Sequence, residues 1–95
     1  MQNTNPLINP VVVLRKEFDD WAVLFNPDTA EAVGINPLGV FIWEQLENNR
    51  NIDQIVNAVR QEFTDVPDQV EDEITTFINN LAEHGFIGFE VDMTS

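Results

Sequence analysis

Residues 32–43 read AVGINPLGVFIW. Four residues with strand character, Ala32 to Ile35, run into an Asn-Pro step and then into a dense apolar stretch holding Phe41, Ile42 and Trp43. Asn36 suits a helix N-cap because its side-chain oxygen reaches the free amides of a first turn. Pro37 suits the first helical position, where no amide is needed. Ile35 and Val40 then stand at the two positions that close a hydrophobic staple over the cap. The stretch is a strand that becomes a helix with no loop between. That helix is expected from Pro37 to about Asn48, with Leu38, Phe41, Ile42 and Leu46 on its core face and Val40 and Trp43 on the opposite side, packed against the other end of the fold.

Upstream, residues 11–18 (VVVLRKEF) are β-branched and then alternate, and residues 21–25 (WAVLF) form a second apolar run. The Asp19-Asp20 pair between them reads as a tight hairpin. Asn26, Pro27, Asp28 and Thr29 supply a turn, Pro27 by fixing φ and the others by side-chain acceptors. The strand at Ala32 to Ile35 is therefore third in a meander. As the last of three strands close in sequence, it is expected at a sheet edge with unpaired backbone groups.

Downstream, Asn51 and Gln54 have capping-box spacing, and Ile52, Ile55, Val56, Val59 and Phe63 recur at helical intervals, so a second helix is expected to end near Thr64. Pro67 opens the expected third helix, with Asp68, Glu71, Asp72 and Glu73 near the positive end of its dipole. Val70, Ile74, Phe77, Ile78 and Leu81 form its stripe, and Gly85 is its expected left-handed cap. Residues 86–91 (FIGFEV) can add a short terminal strand. The expected fold is thus α+β: a three-stranded antiparallel sheet followed by three helices, one domain over residues 1–95, with 1–9 and 92–95 flexible.

Composition limits what such a domain does. A chain of 95 residues buries about 60–65% of its unfolded surface, enough for one modest core. Cysteine is absent, which removes disulfides and thiol chemistry and fits a reducing compartment. With neither a secretory pattern nor a membrane-length apolar run, a cytoplasmic protein is expected. Seventeen acidic residues against four basic ones give a net charge of −13. From residue 51 onward there are ten acids and a single basic residue, Arg60. Such a surface repels nucleic acid and anionic membranes.

Catalysis has little to work with: one His, no Cys, no Tyr, no phosphate-binding glycine loop and no nucleophile elbow. No cofactor is expected. His84 reads as a cation at a helix C-terminus, and a lone His is not a metal site. The segment DVPDQVEDE (65–73) has five carboxylates, but it lacks the glycine and ligand spacing of a calcium loop. Strands followed by three helices and a closing extended segment are winged helix-turn-helix-like. In a DNA-binding version the third helix would enter the major groove. Here its span from Pro67 to His84 holds five acids and no Lys or Arg, which disfavours a nucleic-acid-binding regulator.

Two motifs carry a resemblance that covers nearly the whole chain. Asn36-x-x-Gly39-x-x-Ile42-Trp43-x-x-Leu46 and Phe77-Ile78-x-x-Leu81-x-x-x-Gly85-Phe86-Ile87, in this order and spacing, are similar to the PqqD-like proteins. NPDT and NPLGVFIW look closest to the SynChlorMet cassette variant of that family. Glu73-Ile74-Thr75 departs from the acidic residue and aliphatic pair of many members, which puts in doubt which peptide side chains are accepted there.

The resemblance implies a non-catalytic recognition element for ribosomally made, modified peptides. It implies that the leader of a precursor pairs with the third strand beside the third helix and is presented to a modifying enzyme, often a radical SAM enzyme. The residues it marks are Glu31, Ala32, Val33, Gly34 and Ile35 on the strand, and Ile74, Phe77, Ile78 and Leu81 on the helix. The open edge agrees, since an unpaired strand is a template for strand addition. The same edge can pair with its own copy, so either a monomer or a homodimer is expected. The acidic face of the second and third helices is expected to steer a basic partner.

Overall fold

The computed structural model describes residues 5–90. The elements run β1 (Asn5–Ile8), β2 (Val13–Lys16), β3 (Ala22–Asn26), β4 (Glu31–Ile35), α1 (Pro37–Glu47), α2 (Ile52–Glu62), α3 (Val70–Glu83) and β5 (Ile87–Glu90). β2, β3 and β4 form an antiparallel sheet in that order, and β1 pairs with β5 in a separate two-stranded sheet. The expected α+β fold is present, and the third strand of the sequence reading is β4. No described helix is long and apolar enough to cross a membrane.

The local signals act as their chemistry requires. Asp19 and Asp20 both adopt left-handed φ, 55° and 64°, and the Trp21 amide donates to the Phe18 carbonyl at 3.0 Å. Two consecutive left-handed residues give a turn whose twist matches that of the strands it joins. Asn36 Oδ1 accepts from the Gly39 amide at 2.8 Å and starts α1 directly after β4. At α2, Asn51 Oδ1 accepts from the Gln54 amide (2.8 Å) while Gln54 Oε1 accepts from the Asn51 amide (2.9 Å), closing the capping box.

Three expectations change. Residues 1–9 were expected to be flexible, yet Asn5–Ile8 form β1, in register with Ile87–Glu90 from Asn5↔Glu90 to Ile8↔Ile87. The other expected flexible end, 92–95, lies outside the described residues. Second, α3 begins at Val70, one turn beyond Pro67, whose carbonyl accepts from the Val70 amide at 3.1 Å. Its N-cap position, Gln69, makes no side-chain capping bond. Third, Val40 and Trp43 are core residues, Trp43 only 2% exposed. Strands and helices pack around α1 on several sides, β1, β4 and α2 among them, so it has no broad solvent face.

The core joins Ala22 and Leu24 of β3, Ile35, Ile42, Trp43 and Leu46 around α1, Ile55 and Val59 of α2, and Ile74, Ile78 and Leu81 of α3. Phe41 and Phe63 close its rim edge to face, with ring centroids 5.3 Å apart and planes at 88°, a favoured aromatic arrangement.

Candidate functional site

Among the described residues β4 is the last strand of its sheet, so one row of its amides and carbonyls has no strand beside it. Side-chain directions follow from the register. Ile35 is opposite Ala22 and Val33 opposite Leu24, on the helix side of the sheet. Gly34 is opposite Val23 and Ala32 opposite Phe25, on the outer side. Ile35 is buried, whereas Glu31, Ala32, Val33 and Gly34 are exposed.

The C-terminal end of α3 is fixed next to this edge by a Schellman turn. Gly85 takes φ +80°, its amide donates to the Ala82 carbonyl (3.1 Å), and the Phe86 amide donates to the Leu81 carbonyl (2.9 Å). The Gly85 carbonyl then accepts from two side-chain amides, Asn26 Nδ2 at 3.2 Å and Asn9 Nδ2 at 3.0 Å. Asn26 is 2% exposed, and its Oδ1 accepts from the Asp28 amide at 2.9 Å. One carbonyl thus ties the end of α3 both to β3 and to the segment following β1. His84 Nδ1 lies 3.5 Å from Glu31 Oε2 across the same gap, an ion pair when the imidazole is protonated.

One recess borders the edge and a second lies beyond its end. One, of about 320 Å³, lies among Glu31, Ala32, Val33, His84 and Phe86. The other, of about 170 Å³, lies between α1 and α3 among Leu38, Gly39, Ile42, Ile74 and Phe77, with the exposed Asn36 and Glu73 beside it. Gly39 shapes the second: a Cβ there would stand 3.0 Å from Ile35 Cβ and 3.2 Å from Phe77 Cζ. The absence of a side chain lets the Phe77 ring come down on α1. A shallower depression on the outside of α3 is lined by Asp72, Glu73, Thr76, Phe77 and Asn80. Phe77 borders both.

The nine residues singled out from sequence divide unequally. Glu31 to Ile35 form one edge, as drawn. On α3, Phe77 is half-buried and reaches two recesses, and Ile74 lines one of them. Ile78 and Leu81 are core, Ile78 with 0% exposure, and have no free surface to offer a ligand. The stripe Val70, Ile74, Ile78, Leu81 is the inward face of α3, and Phe77 lies at its margin. Sequence reasoning missed Leu38, Gly39, His84 and Phe86. The last two carried a signal, since a left-handed Gly85 reverses the chain between them.

The lining is acidic. Glu31, Asp72 and Glu73 border the three recesses, and none of them is lined by Lys or Arg. Two of the chain's four basic residues are engaged elsewhere, Arg15 with Glu17 at 3.1 Å and Lys16 with Glu44 at 3.4 Å. Among the described residues no cluster of three or more His, Cys, Asp or Glu could hold a metal ion.

Residues 22–87 match the family model described as coenzyme PQQ synthesis protein D (PqqD). Among solved structures, TbiB1 in complex with the TbiA(beta) leader peptide is 26% identical, with a TM-score of 0.74 over 94% of this chain and 98% of that one. The lasso peptide synthetase B1 complexed with the leader peptide is 17% identical, with a TM-score of 0.75 over 88% and 98%, a likeness of fold. No curated protein sequence matches the chain significantly.

Proposed function

The chain belongs to the PqqD family, and on that premise we propose that it is a non-catalytic module that binds the leader of a ribosomally made precursor peptide as an added strand along β4. The observation that carries this reading is the open edge of β4, held beside the end of α3, with one recess along Glu31 to Val33 and a second beyond Asn36 between α1 and α3. Main-chain hydrogen bonds to an edge strand supply affinity for any extended segment, and alternate side chains entering recesses supply selectivity. The two structural relatives, both in complexes with leader peptides, support the assignment of the occupant.

On this reading the leader runs beside Glu31 to Ile35. Its inward side chains meet Val33 and Phe86 at one recess, and Phe77, Gly39 and Ile74 at the other. The core part of the precursor projects beyond the domain to a modifying enzyme. A radical SAM enzyme as that partner, and the likeness to the SynChlorMet cassette variant, are the finer forms of the proposal. Pairing of two copies through β4 would compete with the peptide, so a leader would dissociate any such dimer.

The test is a titration of isotope-labelled protein with a candidate precursor leader. Amides 31–36 and the Phe77 side chain are expected to shift, and amide exchange along β4 to slow. Shifts confined to α2, or to the β1–β5 sheet, would refute the proposal.

A further inference from the structure

The outer face of the three-stranded sheet has its own pattern. Val13 is opposite Phe25 and Phe25 opposite Ala32; two residues along, Arg15 is opposite Val23 and Val23 opposite Gly34. Strand alternation puts these six on the side away from the buried Ala22 and Leu24. Val13 remains 54% exposed and Phe25 41%. Both β4 positions in this array are small, so Phe25 and Val23 are open toward the free edge.

Gly34 is the telling residue. Glycine inside a strand weakens it, and where present it marks a bulge, a left-handed backbone or the close approach of another chain or ligand. The register runs unbroken from Ala22↔Ile35 to Asn26↔Glu31, so there is no bulge. Gly85 alone among the glycines has positive φ, so Gly34 is not kept for its backbone. A Cβ built on Gly34 would meet no atom within 4 Å, so nothing among the described residues requires the space either. What remains is approach from outside, at the middle of the edge where the peptide strand is proposed to add.

We infer that the bound strand carries a large aromatic side chain opposite Gly34 on the outer face, which folds across the glycine onto Val23 and Phe25. The inference rests on the strand-addition reading and extends it: the peptide is selected from both faces of the sheet, by α3 on one and by Val23 and Phe25 on the other. Neighbouring strands lie about 4.8 Å apart, which puts the added strand about 9.6 Å from β3. Phe25 stands opposite Ala32, two residues from Gly34, so the two aromatic Cα atoms lie about 12 Å apart, and rings leaning toward each other over Ala32 and Gly34 close that to the 4.5–7 Å centroid distance typical of aromatic pairs. A β-branched residue at position 34 would stand in the way.

The experiment is a display selection of random peptides, long enough to span β4, on the full chain and on two variants, Gly34→Val and Phe25→Ser. Both positions are exposed, and thermal melts confirm folding; Gly34→Val is expected to melt at or above the native temperature. Peptides enriched on the native protein are expected to carry an aromatic residue at one outward position and apolar residues at the alternating inward positions. On either variant the inward preference persists and the aromatic is lost. A synthetic copy of the best native-selected peptide is expected to bind each variant about tenfold more weakly, the scale of one aromatic cross-strand pair. Changing its aromatic to Ser costs the same on the native protein and nothing further on Gly34→Val. That peptide substitution stands even if a variant fails to fold. Native-selected peptides without an outward aromatic, or an aromatic insensitive to both substitutions, overturn the inference and leave the strand-addition reading intact. A selection that enriches nothing overturns both.

Discussion

Gly39→Ala is expected to destabilise the protein, although the same change in an ordinary helix is favourable. The gain from replacing a helical glycine by alanine is at most about 1 kcal/mol. Against it stand three contacts of the new methyl: Ile35 Cβ at 3.0 Å, Phe77 Cζ at 3.2 Å and Asn36 Oδ1 at 3.4 Å. The Phe77 ring can turn outward. Ile35 Cβ cannot, because it is bonded to the backbone of β4 one residue before the helix cap. The Asn36 contact at 3.4 Å is ordinary van der Waals packing and leaves the cap bond to the Gly39 amide in place. Overpacking against Ile35 and Phe77 costs about 1–3 kcal/mol. The net expectation is a loss of about 1–2 kcal/mol, with Tm lowered by about 4–8 °C for each kcal/mol. Urea unfolding followed by fluorescence of the buried Trp43 measures it, with an unchanged m-value as the sign that stability alone has moved. Peptide affinity should fall as well, since a displaced Phe77 ring changes two recesses. A variant as stable as the native protein, or more stable, would refute the argument that Gly39 is required by the approach of Phe77.

Three further outcomes are expected. Asn26→Ala removes one of the two donors to the Gly85 carbonyl and the acceptor of the Asp28 amide in a buried setting, costing about 1–3 kcal/mol; a shift of the urea midpoint measures it. Asn36→Ala removes the N-cap of α1, costing about 1 kcal/mol, read as a lower Tm. The acidic lining of the cleft predicts that a basic leader binds more weakly as salt rises; a dissociation constant unchanged from low to high ionic strength would rule out charge steering.

The sequence was legible where structure is local. Asp19-Asp20, Asn36-Pro37, Asn51 with Gln54, and Gly85 each fix a turn or cap through their own side chain or backbone freedom, and each is found in that role. β1 escaped because Asn5–Ile8 owes its strand character to Ile87–Glu90 at the far end of the chain, and no local signal announces so distant a partner. Val40 and Trp43 were set off the main core face and expected to pack against the other end of the fold; both are packed, but within the same core, because α1 is surrounded from several directions. The site was half legible. An edge strand follows from strand order alone, so Glu31 to Ile35 emerged readily. Periodicity cannot separate the inward side of a helical stripe from its margin, so Ile78 and Leu81 were grouped with Ile74 and Phe77 although only the latter two line a recess.

The fastening of α3 has a mechanical consequence. Its last turn is clamped by the Schellman bonds and by two amides on one carbonyl, while its first turn has no side-chain cap. Val70 and Ile74 hold the first turn by packing alone, whereas the last turn is held by packing and by directional bonds. If a peptide binds as proposed, a poor fit is expected to be taken up more readily beside Glu73 than beside His84. Tolerance to variation along a bound peptide is then graded, strict for residues beside Phe86 and permissive for those beside Glu73.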